Sequence, residues 1–168
     1  ANGTPCDRDI DDNPKLRQVD ELLTNGQNKQ ALHLLELIST SEDPDSAGRL
    51  WRLARVYYEM GRLDEASADQ LLQKSAEYAR AAIKRAPDCS DGYKWLAIAL
   101  GAQMKYLDTQ TRIRQSREIK ESIEKAIELN PNYADAYALL AWVLHYSGRS
   151  DQAVKALQEA RKRNPNSS

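Results

Sequence analysis

Residues 134–167 read ADAYALLAWVLHYSGRSDQAVKALQEARKRNPNS. Numbered from its first residue, this stretch has large side chains at positions four and seven and small ones at positions eight and twenty: Tyr137, Leu140, Ala141 and Ala153. The small residues allow two helices to approach each other, and the large ones fill the space between neighbouring helix pairs. Pro165, at position 32, ends the second helix. The stretch therefore predicts a hairpin of two packed helices.

The same spacing recurs, less regularly, in three earlier parts of the chain. A helical hairpin that repeats about every 34 residues with this pattern is the tetratricopeptide repeat. We expect four such hairpins, at about residues 14–40, 46–87, 90–131 and 134–165. The predicted fold is an all-α, right-handed superhelix, an α-solenoid that spans residues 14–168. Residues 1–13 are rich in Asp, Asn and Gly and are predicted to form a flexible N-terminal arm.

Hairpins 2 and 3 are longer than the ideal repeat. From Trp51 to Pro87 the chain advances 36 residues, where the ideal unit has about 28. From Pro87 to Pro131 it advances 44 residues instead of about 34. We place the extra residues at about 62–74 and 104–116 and expect longer loops there. In solenoids such insertions often fall on the functional face.

The composition of the 168-residue chain fits one helical domain, with 41% apolar and 29% charged residues. Its net charge of -1 gives no overall attraction for nucleic acid or for an anionic membrane. No run of about 18 apolar residues is present to span a bilayer. Because no signal segment opens the sequence, we expect a cytoplasmic location.

The two cysteines, Cys6 and Cys89, are far apart in the sequence. One lies in the polar arm and the other in a turn, so we favour two free thiols over a disulfide, which the sequence leaves open. The last hairpin is followed by no helix that would cover its apolar edge. We therefore expect either a fragment of a longer protein or an assembly that covers this edge.

The concave groove of such a superhelix offers the candidate binding site. Positions two, five, nine, twelve and thirteen of each first helix face the groove in a regular repeat. The groove residues predicted to bind a ligand are Arg52, Val56, Lys94, Ile98, Trp142, His145 and Tyr146. Cations near one end and aromatic side chains at the other suit a peptide with hydrophobic anchors, or an acyl chain beneath an anionic headgroup. The alternative is that Trp142 and Tyr146 pack against a neighbouring helix.

A modest basic patch lies in the long third hairpin. Its cations are Lys105, Arg112, Arg114, Arg117 and Lys120. They can meet the acidic tails of proteins such as tubulin, or the phosphates of lipids. A solvated helix face would carry the same charges, so this alternative stays open.

The sequence gives little support for catalysis. His33 and His145 are far apart and have no paired nucleophile or metal-spaced cluster beside them. Two lone cysteines cannot form a structural zinc site. The seven glycines are scattered at turns rather than gathered in a phosphate-binding loop. We therefore predict a protein that is not an enzyme and that needs no metal and no cofactor.

Part of the chain resembles the regulator of microtubule dynamics family, over about residues 42–132. The segments that carry the resemblance are LWRLAR at 50–55, EYARA at 77–81, YKWLAI at 93–98, and IKE and EKAIELNP within 119–131. The resemblance implies microtubule association. For one branch of the family it implies tethering of mitochondria to the endoplasmic reticulum, with a repeat domain that binds or moves phospholipid. It also implies that the chain can be the cytosolic part of a membrane-anchored protein.

Three functions are compatible with these observations. We favour a non-catalytic protein interaction scaffold that binds a peptide or an acidic protein tail, such as that of tubulin, in its groove. The second is a phospholipid-binding or transfer module at membrane contacts, in which Arg52 or Lys94 meets the phosphate. The third is a structural or engineered repeat protein without a ligand, suggested by the regular fourth hairpin and by the absence of Phe.

Overall fold

The computed structural model describes residue 6 and residues 13–41, 46–146 and 148–165, without the side chains of residues 39–41 and 146. The helices of this part are α1 (Pro14–Thr24), α2 (Asn28–Ser41), α3 (Ala47–Leu63), α4 (Ala68–Arg85), α5 (Ser90–Gln103), a 3₁₀ helix (Met104–Tyr106), α6 (Thr109–Leu129), α7 (Ala134–Tyr146) and α8 (Ser150–Arg163). Consecutive α-helices pack in pairs, called hairpins 1 to 4, and each hairpin packs against the next. The predicted all-α solenoid is confirmed.

Short polar side chains begin several of these helices. Asn13, Ser46 and Asp108 each precede a helix and accept a hydrogen bond from a backbone N–H two or three residues later, at 3.0 to 3.2 Å. Such caps satisfy the N–H groups that have no partner within the helix. The turns inside hairpins 1 and 4 contain Gly26 and Gly148, whose φ angles of 73° and 77° favour glycine.

The extra residues of hairpins 2 and 3 are largely helical, whereas the spacing suggested longer loops. Only residues 64–67 separate α3 from α4, and α4 is 18 residues long. In hairpin 3 the extra residues form the 3₁₀ helix and the first turns of α6, which is 21 residues long. Residues 109–118 are rich in Arg and Gln, which favour helix, and Asp108 caps their start. The helix therefore continues through the inserted segment.

Alanine lies where the helices approach each other closely. The alanines at most 3% exposed in the contacts of hairpins 2 and 3 include Ala54, Ala79, Ala82, Ala97 and Ala99. Gly92 serves the same purpose near the start of α5, because a Cβ atom there would lie 3.0 Å from Cγ1 of Ile83 in α4. A second cluster, centred on Leu16, Leu35 and Leu53, joins hairpin 1 to α3. Small residues at helix contacts thus set the spacing of the solenoid.

A buried ion pair connects hairpin 1 to hairpin 2. The Arg52 side chain is 1% exposed, and its Nε and Nη2 atoms donate to the two carboxylate oxygens of Asp20 at 2.7 and 2.8 Å. Its Nη1 atom donates to the carbonyl oxygen of Gly48 at 2.9 Å. The guanidinium carbon also lies 4.1 Å from the centre of the Trp51 ring. Both ends of the guanidinium are therefore satisfied inside the protein, which a buried charge requires.

Asp20→Asn should lower the free energy of unfolding by about 2 to 3 kcal/mol, because it leaves a buried guanidinium without its counter-charge. The expected loss lies below that of a fully buried pair because Asp20 is 32% exposed. Urea denaturation followed by circular dichroism measures it. The control is Glu118→Gln, which removes the partner of Arg80 from a pair whose side chains are 43% and 49% exposed. We expect that change to cost less than about 1 kcal/mol, and equal losses in the two variants would contradict a structural role for the buried pair.

Cys6 and Cys89 form a disulfide, with their Cα atoms 5.3 Å apart and a sequence separation of 83. Both residues are fully buried in the core of hairpins 2 and 3. The preference for two free thiols was wrong, because the fold brings Cys6 to the turn before α5 and no local spacing reveals this approach. Residues 1–5 and 7–12 of the predicted arm lie outside the described part of the chain.

Removing the disulfide with Cys6→Ser should lower the free energy of unfolding by about 2 to 4 kcal/mol, because a cross-link over a long loop restricts the unfolded chain. Urea denaturation with and without reductant measures this effect. Reductant should destabilise the wild type to the level of the variant and leave the variant unchanged. A wild-type protein that shows two reactive thiols when unfolded without reductant would contradict the cross-link.

Candidate functional site

The first helices of hairpins 2, 3 and 4 line a groove made of two connected clefts. The first, called the aromatic cleft, has a volume of about 790 Å³. Its aromatic and cationic side chains are Trp51, Arg55, Tyr58, Lys94, Trp95 and Trp142. The second, called the basic cleft, has a volume of about 980 Å³. Its cations are Arg62, Lys105 and Arg112. Tyr58, Gly101 and Trp142 line both clefts, so the two are continuous.

Helix α3 provides one wall of the aromatic cleft. Trp51, Arg55 and Tyr58 are spaced by four and three residues, so they lie on one face of the helix. Trp95 of α5 approaches this face, with its ring centre 5.8 Å from that of Tyr58 and the two rings tilted by 52°. The Arg55 guanidinium carbon lies 5.7 Å from the centre of the Trp95 ring. This wall therefore holds a cation among aromatic rings.

Lys94 connects the opposite wall of the aromatic cleft to hairpin 4. Its side chain is 14% exposed, and its Nζ atom lies 3.1 Å from a carboxylate oxygen of Asp135 in α7. The same atom lies 5.1 Å from the centre of the Trp95 ring and 4.8 Å from that of Tyr133. The charge of Lys94 is therefore already balanced by Asp135 in the absence of a ligand.

Trp142 stands on α7 where the two clefts meet. It is 47% exposed and lines both clefts. A Cβ atom at Gly101 of α5 would lie 3.7 Å from Cζ3 of the indole, so the ring lies over the glycine. The structure thus places Trp142 on the groove surface and not in the core, which the sequence leaves open. Ligand binding by Trp142 stays a prediction.

Tyr58, which lines both clefts, adds no negative charge to the groove. Burial raises the pKa of the Tyr58 phenol above its ordinary value, and the Glu59 carboxylate raises it further, whereas Arg62 acts in the opposite direction. The phenol is therefore neutral at physiological pH. A bound anion would meet no phenolate here.

The predicted basic patch divides between the basic cleft and another surface. Lys105 and Arg112 line the cleft. Arg112 Nε donates to the carbonyl oxygen of Leu107 at 2.8 Å, and a hydrogen bond with the Tyr106 phenol raises the pKa of the Lys105 ammonium. Arg114, Arg117 and Lys120 do not line either cleft. Arg114 donates to the Thr111 hydroxyl at 3.3 Å, and Lys120 lies 3.5 Å from Glu124.

Several predicted groove residues lie elsewhere. Arg52 and Val56 are 1% and 0% exposed, because hairpin 1 covers the face of α3 that a regular repeat leaves open to the groove. Neither is accessible to a ligand, which corrects the prediction for both. Ile98 lines the aromatic cleft beside Lys94. His145 is exposed near the end of α7 and lines neither cleft, and the side chain of Tyr146 lies outside the described part.

Arg55 lines the aromatic cleft but was not predicted as a groove residue from the sequence. In hairpin 2 it takes position eight of the repeat, where Ala97 and Ala141 stand in hairpins 3 and 4. A charged residue at a position that usually holds a small buried one was a signal in the sequence. In the structure, the Arg55 Nε atom at this position is buried and lacks a hydrogen-bond partner within the described part of the chain.

Neither a metal site nor a membrane span is evident in the described residues. They contain no group of three or more His, Cys, Asp or Glu side chains that could hold a metal ion. None of the helices in these same ranges is long and apolar enough to cross a membrane. The absence of catalysis, metal and cofactor stays a prediction.

Comparison with protein families identifies the group to which the chain is related. The family model described as Regulator of microtubule dynamics protein 1-3 matches residues 15–147. The chain belongs to the regulator of microtubule dynamics family. The match is longer than the resemblance noted in the sequence and includes hairpin 1 and α7. A second model, Tetratricopeptide repeat, matches residues 134–167.

Individual members of the family are longer than this chain. Regulator of microtubule dynamics protein 1 of Bos taurus is 34% identical over 128 residues, which cover 74% of this chain and 39% of that protein. Regulator of microtubule dynamics protein 3 of Bos taurus is 30% identical over 167 residues, which cover 95% of this chain and 35% of that protein. The chain thus spans less than half the length of these relatives.

Solved structures share the fold. A thermophilic tetratricopeptide-repeat protein of Thermus thermophilus has a TM-score of 0.79 at 23% identity, over 90% of this chain and 74% of that chain. Human IFIT1, solved as a dimer with PPP-AAAA, has a TM-score of 0.70 at 18% identity, over 87% of this chain and 31% of that chain. At these identities the similarity shows the fold alone. The repeat fold and the family together support a protein interaction scaffold.

Proposed function

We propose that the chain is a non-catalytic scaffold that binds an extended acidic segment of a partner protein along the two clefts. The observation that carries this proposal is the half-exposed Trp142, which stands at the junction of an aromatic cleft and a basic one. Large exposed aromatic side chains in a concave surface are typical anchors of protein interfaces. The repeat fold supplies a rigid concave surface for such a segment.

The two clefts would select different parts of the partner. The aromatic cleft, with Ile98 and Leu139 beside the rings, suits an apolar side chain of the partner segment. The basic cleft has Lys105 and Arg112 at one side and Arg62 at the other, and these cations suit the acidic residues of the partner segment. Glu65 also lines this cleft, and its negative charge would repel those acidic residues. A segment that alternates acidic and apolar residues would satisfy both clefts at once.

Microtubules are the first partner to test. The relatives are named as regulators of microtubule dynamics, and the tails of tubulin are acidic. Because this chain spans only 39% and 35% of those two relatives, microtubule binding is proposed for it and not inherited from them. A phospholipid is the competing ligand for the aromatic cleft, since an acyl chain would also fit apolar walls.

The proposed location is cytoplasmic, as microtubule binding requires. The Cys6–Cys89 disulfide favours an oxidising compartment instead, because cytosolic thiols are normally kept reduced. Both cysteines are fully buried, and thiol–disulfide exchange requires access to a sulfur atom. Burial would therefore protect the bond from cellular reductants if it forms before or during folding.

Trp142→Ala should weaken co-sedimentation with microtubules by roughly tenfold, the loss expected when an anchor side chain is removed from an interface. The change should lower stability little, since the ring is 47% exposed. Co-sedimentation of the full chain at several microtubule concentrations measures the affinity, and thermal unfolding checks the fold. Unchanged affinity in Trp142→Ala would contradict the use of the groove, and no binding by the wild type would exclude microtubules as the partner.

Two double variants distinguish the effect of the basic cleft on binding from the effect of overall charge. Lys105→Glu with Arg112→Glu reverses two cations of the cleft, and Arg114→Glu with Arg117→Glu reverses two cations outside it. Both change the net charge equally. We expect the first to weaken co-sedimentation by roughly tenfold or more, and the second by less than about twofold. Binding by the wild type should also weaken as salt is added.

Equal weakening by the two double variants would mean that overall charge, and not the cleft, attracts the microtubule. Circular dichroism of each variant verifies that the helical content of the chain is unchanged. Displacement of the protein from microtubules by a short-chain phospholipid, together with tight lipid binding, would favour the lipid alternative.

A further inference from the structure

Unpaired hydrogen-bond donors gather beneath the aromatic cleft. In the described part of the chain, four buried side-chain polar atoms have no hydrogen-bond partner. Three of them belong to residues that line this cleft: Trp51 Nε1, Arg55 Nε and Trp95 Nε1. The fourth is Ser90 Oγ. Buried donors without a partner are rare and costly. Three of the four belong to residues of one cleft, where a ligand that accepts hydrogen bonds would satisfy them.

Arg55 also carries a charge that no carboxylate of the described residues balances. Arg52, three residues earlier on α3, pairs with Asp20 through two hydrogen bonds. Arg55 instead contacts the face of the Trp95 ring, at 5.7 Å from its centre. A partly desolvated guanidinium without a counter-charge attracts an anion strongly. The Arg55 side chain lines the cleft and is only partly buried, although its Nε atom is itself buried.

Two carboxylates on the same cleft are engaged elsewhere. Asp135 pairs with Lys94 at 3.1 Å. Asp91 accepts a hydrogen bond from the hydroxyl of Tyr133. Both would repel a ligand with several negative charges. A ligand group with a single charge, placed against Arg55, suits this arrangement better than a phosphate monoester, which carries nearly two charges at neutral pH.

We propose that Arg55, with the indole N–H groups of Trp51 and Trp95, forms a subsite for one carboxylate of the bound protein segment. The planar guanidinium can hold both oxygens of a carboxylate through parallel hydrogen bonds. The cleft beside it takes the apolar side chain next to that carboxylate. The proposal rests on the proposed function, and it names the chemical group that the aromatic cleft recognises.

Two small probes of the same shape test this subsite. N-acetylleucine carries an apolar side chain and one carboxylate, and N-acetylleucinamide replaces the carboxylate with a neutral amide. The chain contains three tryptophans, and their indole N–H signals in a proton–nitrogen correlation spectrum report on the site separately. Single Trp→Phe variants assign them. Trp142 reports occupation of the groove, and Trp51 and Trp95 report the carboxylate.

We expect the wild type to bind N-acetylleucine roughly tenfold more tightly than the amide, the preference typical of hydrogen bonds to a charged group. The signals of Trp51 and Trp95 should shift with the acid and not with the amide. Arg55→Gln should reduce the preference to less than about twofold, and Arg55→Lys should restore part of it. The control is Arg80→Gln, which removes a cation that pairs with Glu118 and lines neither cleft, and which should leave the preference unchanged.

The outcomes separate this proposal from the proposed function. If Trp142 responds to both probes equally and Arg55→Gln changes nothing, the groove binds ligands but the carboxylate subsite is refuted. If no tryptophan responds to either probe, use of the groove is contradicted as well. If dihexanoyl phosphatidic acid binds through Arg55 more tightly than N-acetylleucine, the subsite serves a lipid phosphate and the carboxylate assignment is wrong.

Discussion

The buried pair of Arg52 and Asp20 sets the orientation of α3, on which the groove depends. A guanidinium that has lost its hydration must be paired, and Asp20 is its charged partner in hairpin 1. This pairing turns one face of α3 toward hairpin 1. The neighbouring face, with Arg55 and Tyr58, then lies toward hairpin 3 and becomes the wall of the aromatic cleft.

Arg55 is the opposite case of the requirement that a desolvated guanidinium be paired. Two arginines one helical turn apart have different surroundings, since one lies against a carboxylate and the other against the face of an aromatic ring. The first pairing stabilises the fold without a ligand. The contact of Arg55 with the Trp95 ring leaves the Arg55 Nε–H group without a hydrogen-bond acceptor among the described residues. A ligand could supply that acceptor. In the proposed carboxylate subsite, the ligand would complete the interaction that the fold leaves incomplete at Arg55.

The sequence predicts the helical hairpins well because alanine and proline spacing acts locally. Contacts between distant residues are harder to predict. Position five of a regular repeat faces the groove, so the repeat pattern places Arg52 there, but hairpin 1 covers it. The disulfide joins residues 83 positions apart and leaves no local pattern. Arg55 departs visibly from the repeat, yet its lack of a partner among the described residues becomes evident only when the surrounding helices are in place.

The most direct test compares the side-chain Nε–H groups of Arg52 and Arg55 by nuclear magnetic resonance of the ligand-free protein. A hydrogen bond to a carboxylate moves the proton signal downfield. We predict a downfield signal for Arg52, whose Nε atom lies 2.7 Å from the Asp20 carboxylate, and an ordinary signal for Arg55 that moves downfield when a carboxylate ligand is added. An Arg55 signal that already matches that of Arg52 without ligand would show that the fold satisfies Arg55 by itself, and would contradict this account.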